Sequence, residues 1–366
     1  MKCVCLISWL LTLQPWPPAK FAEPWDVGMD IAWRNIGPGG GGWIQSIAAD
    51  PLRPNVLHVG CDVGGYYYSE DGGRTFEIRN RGLVDYYVDA IAVHPRNPAV
   101  IILGTRSGIH KTTDGGRSWR WIRAGFPEVK RYSYSAPIAA VCFDPANPDV
   151  VYAGVGQPRE GKSGLGAIYK SDDCGETWRL AAQGLPADAI VSDIEVRPDN
   201  PREVLAATNR GVFLSEDGGA TWRLSSDGMS NRDVYRLAIA PSDPRVVYCT
   251  VRTHARDDEP WDGGVYRSED GGRSWRACNN GLPARVAKSG QAAPMGSQYQ
   301  EIVVDPRDAN VAYVGSDAWV SPGVFKTTNG GGQWSWCSRH VDSPSGPRNM
   351  DYGWLTFWGP SVECLT

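Results

Sequence analysis

Residues 60–73 read GCDVGGYYYSEDGG. Two aspartates, Asp62 and Asp71, stand there among glycines and beside three tyrosines. A carboxylate flanked by glycines can give or take a proton on a substrate that comes close to the backbone. The same residues can also do no more than fold a turn, the acid accepting backbone N–H groups while glycine supplies φ > 0. Which role each acid has depends on the elements that carry it.

Those elements repeat. Six times an apolar strand runs into a Pro-centred turn and out into a second apolar strand: SIAADPLRPNVLHVG, AIAVHPRNPAVIILG, AVCFDPANPDVVYAG, DIEVRPDNPREVLAA, RLAIAPSDPRVVYCT and EIVVDPRDANVAYVG. A third strand follows each, then a fixed turn: SEDGGRTF, TTDGGRSW, SDDCGETW, SEDGGATW, SEDGGRSW and TTNGGGQW. The end of each turn opens a fourth strand. A repeat of four short antiparallel strands predicts an all-β fold, a β-propeller with six recognisable blades. The N-terminal AWRNIGPGG aligns with the fourth strands, and the C-terminal VECLT with the start of a first strand. An incomplete seventh blade, and a chain truncated at its C-terminus, are therefore expected, with the propeller spanning 30–366.

Composition agrees with many short strands and turns: 366 residues with 43 Gly, 27 Pro, 16 Trp and 15 Tyr. A formal net charge of −4 gives no basic footprint for nucleic acid. No apolar run is long enough to span a membrane. Lys2, the apolar stretch Val4–Leu13 and the prolines after it have the outline of a secretory signal over 1–22, so a secreted or periplasmic protein is expected. Nine cysteines show no C-x-x-C pairing, and those on strands, such as Cys142 and Cys249, are expected as buried free thiols.

In a propeller the loops joining strands two to three and four to one open on one face, and the remaining turns on the other. Asp71, Asp114, Asp173, Asp217 and Asp270 fall in three-to-four turns and are expected to be structural. Asp62 falls in a two-to-three loop, on the face where propellers bind ligands. The same face gathers Tyr66, Asp85, Tyr86, Tyr87, Tyr132, Tyr134, Asp257, Asp258, Glu259, Trp261, Tyr299, Asp317 and Trp319. Aromatic faces stack on the C–H faces of sugars while carboxylates take their hydroxyls, so a polysaccharide or oligosaccharide is the expected partner. Gly64 and Gly65 are expected to clear the way for such a ligand.

Other motifs carry less. GQPREGKS at 156–163 has the spacing of a phosphate-binding loop, but a turn and a strand follow it instead of a helix. GPGGGGW reads as a flexible entry into blade 1. His58, His94, His110, His254 and His340 lack metal-ligand spacing. No cofactor and no metal are expected.

The S-x-D-x-G-x-[ST]-W turn resembles the Asp-box, or BNR repeat, found also in sialidases and in sortilin-type receptors. The Arg-Ile-Pro motif of sialidases is missing. The run GGGGWIQSIAADPLRPNVLHVGCDVGGYYY, residues 39–68, resembles the N-terminal propeller of family-74 glycoside hydrolases, the xyloglucan-cleaving endoglucanases. That resemblance implies an inverting hydrolase with Asp62 as one catalytic carboxylate and the partner acid on a second propeller outside this chain. The alternative is a non-catalytic propeller that binds glycan or protein, as the sortilin-type receptors and photosystem assembly propellers do.

Overall fold

The computed structural model describes residues 42, 44–127, 137–156, 166–252, 262–282, 299–316 and 323–337. They form six four-stranded antiparallel sheets, each with its strands in sequence order, the blades of a β-propeller. The first strands are Ile44–Ala49, Val88–Val93, Ile138–Phe143, Val191–Val196, Val234–Ile239 and Tyr299–Val304. Each touches the first strand of the next blade, so they line the central channel. No comparable interface joins the first strands of blades 6 and 1 among the described residues. Residues 32–40 and 362–366, read as parts of a seventh blade, and the signal-like 1–22 lie outside the described residues.

The core is a set of apolar layers between neighbouring blades. Ile102 and Ile109 of blade 2 pack with Ile138, Val151 and Trp178 of blade 3. Tyr248 and Val265 of blade 5 pack with Ile302, Val314 and Trp334 of blade 6. Second and third strands are buried on both faces, which is why they read as nearly unbroken apolar runs. Six free cysteines occur among the described residues, and Cys61, Cys249, Cys278 and Cys337 are buried thiols.

The three-to-four turns fold as local chemistry dictates. Asp71 Oδ1 accepts the Thr75 N–H and the Ser69 hydroxyl, both at 2.9 Å, and Oδ2 accepts the Thr75 hydroxyl at 2.8 Å. Ser69 Oγ in turn accepts the Gly73 N–H at 2.9 Å. The Thr75 N–H and hydroxyl, aided by Ser69, hold the Asp71 carboxyl down to about 2. Asp114, Asp173, Asp217 and Asp270 repeat this pattern, and Asn329 does so in blade 6 with the Gln333 N–H. These acids are spent on their own backbone.

The tryptophan that closes each turn joins blades. The Trp119 N–H donates to Arg81 O and its indole N–H to Arg79 O, both at 2.8 Å and both in the preceding blade. Trp222, Trp275 and Trp334 make the same two bonds to the blade before them. Trp178 keeps the backbone bond but turns its indole to Gly175 O. Blade 1 has Phe76 at this position, which has no ring N–H to give.

Every first strand carries a β-bulge at its second residue, and these bulged residues are Gln45, Asp89, Ala139, Ser192, Tyr235 and Gln300. Because each first strand begins at a four-to-one loop, the bulges ring the channel mouth on the proposed ligand face.

One turn is strained. Cys174 takes φ 58°, where the other five turns place a glycine at 68–74°. An L-residue in that region costs about 1–2 kcal/mol, and glycine's greater unfolded-state freedom returns part of this. Cys174→Gly is expected to stabilise the protein by up to about 1 kcal/mol in urea unfolding. Cys174→Ala, still an L-residue, should give no such gain. Asp114→Ala is expected to cost about 1 kcal/mol in urea unfolding, as loss of a capping carboxylate does; an unchanged unfolding midpoint would refute the structural role of this turn.

Candidate functional site

The site is built from three loops of blades 1 and 2. Asp62 lies between Leu57–Cys61 and Gly65–Ser69, the second and third strands of blade 1. Asp85, Tyr86 and Tyr87 lie between Glu77–Ile78 and the first strand of blade 2. Arg106 and Ser107 join Ile101–Thr105 to Gly108–Thr112.

Asn80 fixes the Asp62 loop, its Oδ1 accepting the Tyr66 N–H and its Nδ2 donating to Gly64 O, both at 2.8 Å. A side chain at Gly65, whose φ is 78°, would strike Asn80, and one at Gly64 would strike Tyr67. These glycines serve internal packing and do not clear a path for a ligand, which corrects the expectation. Gly42, from the glycine run, lies so close over the loop that a side chain there would meet Cys61, Asp62 and Val63.

Asp85 ties the other two loops together. Its Oδ1 accepts the Tyr87 N–H at 3.0 Å and its Oδ2 the Ser107 hydroxyl at 2.7 Å. With both oxygens so engaged, Asp85 positions the loops. Arg106 stacks on the Tyr87 ring at 4.3 Å and pairs with Asp89 at 2.8 Å. Burial raises the proton affinity of the Tyr87 phenol, Arg106 opposes this, and the charges of Asp89 and Asp62 add to it. Asp62 and Tyr87 therefore lie within each other's field. Burial pushes Asp89 up to about 7 against the pull of Arg106 and Arg236.

Beneath this loop His110 Nε2 accepts the Val84 N–H at 3.3 Å, so the proton sits on Nδ1, facing Thr105 Oγ1. Burial lowers His110 to about 4 and keeps it neutral. Val63, Val84 and Tyr86 stand out into solvent, 48–60% exposed. Val63 adjoins Asp62 in its loop, and Val84 and Tyr86 belong to the loop of Asp85 and Tyr87.

Two expected site residues lie elsewhere. Tyr66 is fully buried, its hydroxyl 2.5 Å from His58 Nδ1 and its ring against Trp119. Tyr299 is buried between blades 5 and 6. Both sit on strands, where the alternation of faces turns their rings into the core. Tyr132, Tyr134, Asp257, Asp258, Glu259, Trp261, Asp317 and Trp319 lie outside the described residues, as does most of GQPREGKS. Sequence reasoning missed Asn80, Asp89 and Arg106. Arg106 could have been found from its loop, GTRSG, which belongs to the same face.

A cavity of about 600 Å³ opens on the opposite face, between the turns of blades 1 and 2. Its Arg53 is paired with Asp50 and its Arg79 with Glu77. It holds neither Asp62 nor the exposed aromatic surface. No group of three or more metal-ligating side chains occurs among the described residues, and no helix there is long and apolar enough to cross a membrane.

No protein-family profile matches the chain. The oligoxyloglucan-reducing end-specific xyloglucanase of Emericella nidulans is 28% identical over 198 residues, 46% of this chain and 22% of that enzyme. Xyloglucanase Xgh74A of Acetivibrio thermocellus is 27% identical over 179 residues, 39% of this chain and 20% of that enzyme. Each match thus spans about a fifth of the relative's length. Among solved structures, an ancestral GH74 enzyme superimposes with a TM-score of 0.66 at 23% identity, covering 85% of this chain and 40% of that one. The GH74 xyloglucanase of Xanthomonas campestris gives 0.64 at 17% identity, covering 85% and 47%. A propeller described as YCF48 bound to D1 peptide gives 0.52 at 15% identity, covering 81% and 80%. By sequence and by fold, this chain is homologous to part of the GH74 xyloglucanases.

Proposed function

We propose that this chain is one propeller of a secreted, inverting glycoside hydrolase acting on xyloglucan or a related β-glucan, with Asp62 as one of its two catalytic carboxylates. The observation that carries the reading is the setting of Asp62. It is a half-buried acid on a two-to-three loop, next to the exposed Val63 in the chain and close enough to Tyr87 for its charge to act on the phenol, whose loop also exposes Val84 and Tyr86. Similarity to xyloglucanases supports the choice of substrate.

An inverting mechanism needs a second carboxylate about 6.5–9.5 Å away, leaving room for water between the base and the sugar. Neither neighbouring acid suits that role. Both Asp85 oxygens hold loop donors, and Asp89 is paired with Arg106. The resemblance to family-74 hydrolases implies a partner acid on a second propeller outside this chain. Tyr86 offers the stacking face, and Tyr87, clamped by Arg106, is the wall beside Asp62. That no suitable second acid neighbours Asp62 among the described residues also favours another reading, a propeller that binds glycan on this face without cleaving it.

The test is made on the protein at its full natural length, with reducing-end release from xyloglucan and mixed-linkage β-glucan measured beside oligosaccharide affinity. Asp62→Asn keeps the shape of the side chain and removes its proton transfer. Hydrolysis is expected to fall by about 10²–10⁴-fold or more, with affinity nearly unchanged. Tyr86→Ala should weaken affinity about tenfold, as loss of a stacking face does. Wild-type hydrolysis by Asp62→Asn would refute the catalytic role. Binding without cleavage by the wild type would leave the glycan-binding reading.

A further inference from the structure

The ligand face carries two arginines at one position of the repeat. Arg106 follows Ile101–Thr105, the second strand of blade 2, and Arg252 follows Val247–Val251, the second strand of blade 5. Their backbones are anchored alike. The Arg106 N–H donates to Tyr87 O at 3.3 Å and the Arg252 N–H to Asp233 O at 2.8 Å, in both cases a carbonyl of the four-to-one loop. Each of those loops is folded by an equivalent side chain, Asp85 Oδ1 accepting the Tyr87 N–H at 3.0 Å and Asn231 Oδ1 the Asp233 N–H at 2.9 Å. The two blades differ in what meets the guanidinium.

The difference lies at the bulge. In blade 2 the bulged residue is Asp89, whose carboxylate pairs with Arg106 at 2.8 Å. In blade 5 the bulged residue is Tyr235, and the Arg252 guanidinium lies over its ring, 3.9 Å from the centroid. An aromatic face steadies a cation without neutralising it. Arg236 lies 4.6 Å from the same ring, but its charge is met by Glu301, whose Oε2 is 3.2 Å from Nε. No carboxylate among the described residues pairs with Arg252, and its Nε is buried without an acceptor. Asp262 accepts Asn231 Nδ2 at 3.0 Å, and that same Nδ2 donates to Arg252 O at 2.7 Å. Arg252 is thus fixed by its backbone and braced by a ring, half-buried, with the place of Asp89 taken by a group that carries no charge.

We propose that Arg252, braced on Tyr235, is a subsite for the carboxylate of an acidic sugar, so that the glycan held on this face is one bearing uronate groups. The inference rests on the glycan-binding face proposed above and not on cleavage. A guanidinium presents paired N–H donors in one plane, which match the two oxygens of a carboxylate better than any neutral hydroxyl does. Stacking on Tyr235 sets that plane before the ligand arrives, so little side-chain freedom is lost on binding. The ligand's acid would stand to Arg252 as Asp89 stands to Arg106.

The test is a calorimetric comparison on the whole chain. One set of ligands is neutral xyloglucan oligosaccharides, and the other is the same oligosaccharides after oxidation of their free primary hydroxyls to carboxylates. Wild type is expected to bind the oxidised set about tenfold more tightly, by a margin that shrinks as salt is raised. Arg252→Gln should lose most of that margin. Arg252→Lys keeps the charge without the planar fork and should retain only part of it. Should both variants fail to fold, the wild-type comparison alone decides. Equal or weaker binding of the oxidised set by the wild type would overturn the subsite. That is the result to expect if Asp257, Asp258 or Glu259, later in the same loop, holds the guanidinium instead. A margin that survives intact in Arg252→Gln would overturn it too. Failure of the wild type to bind either set would overturn the glycan-binding face as well, which separates the two failures.

Discussion

The structure depends on the junction where one blade's turn meets the outer strand of the blade before it. A sheet of four short strands cannot bury both faces alone, so each blade is stable only against its neighbours. The tryptophan at the end of each turn makes that contact directional. Its backbone N–H, and in four of five cases its indole N–H, bond to carbonyls of the preceding blade. On the other side of the junction the close approach requires a glycine such as Gly82, whose side chain, were there one, would run into the Trp119 carbonyl. Hydrogen bonding, burial and backbone geometry meet at one point and recur around the ring.

This explains what could be read in advance. The alternation of apolar strands with Pro-centred and Asp-centred turns is local, and it made six four-stranded blades and their strand order legible; the expected seventh blade falls outside the described residues. Tyr66 was misjudged because GGYYYS reads as an exposed aromatic loop, whereas a strand begins at Gly65 and turns Tyr66 inward toward His58 and Trp119. The function of Gly65 was likewise hidden, since Asn80, which occupies the space it leaves, is far along the chain. Arg106 and Asp89 come from opposite ends of blade 2's first hairpin and meet only when it folds. Nothing in their spacing announces the pair.

The acids beside the Asp62 loop are engaged in holding the fold. Asp85 is bound by Tyr87 and Ser107, and Asp89 by Arg106. Arg106 serves twice, since the guanidinium that neutralises Asp89 also braces the Tyr87 ring. Charge balance and wall geometry are therefore coupled, and altering one disturbs the other.

The bulges at the channel mouth have a consequence for diversity. A residue on a regular strand answers to a partner across the ladder, and to the packing on both faces of its sheet. The bulged residue is the extra one, left without a ladder partner. Glutamine, aspartate, alanine, serine and tyrosine all occupy that position in this one chain, with no change in the blades that carry them. The mouth of the propeller is thus ringed by positions that accept residues of different polarity, charge and bulk without a change in strand order, though they are also tied to the blades around them, as Asp89 is to Arg106 and Ser192 to Val234. A single scaffold can present very different surfaces to whatever meets it there.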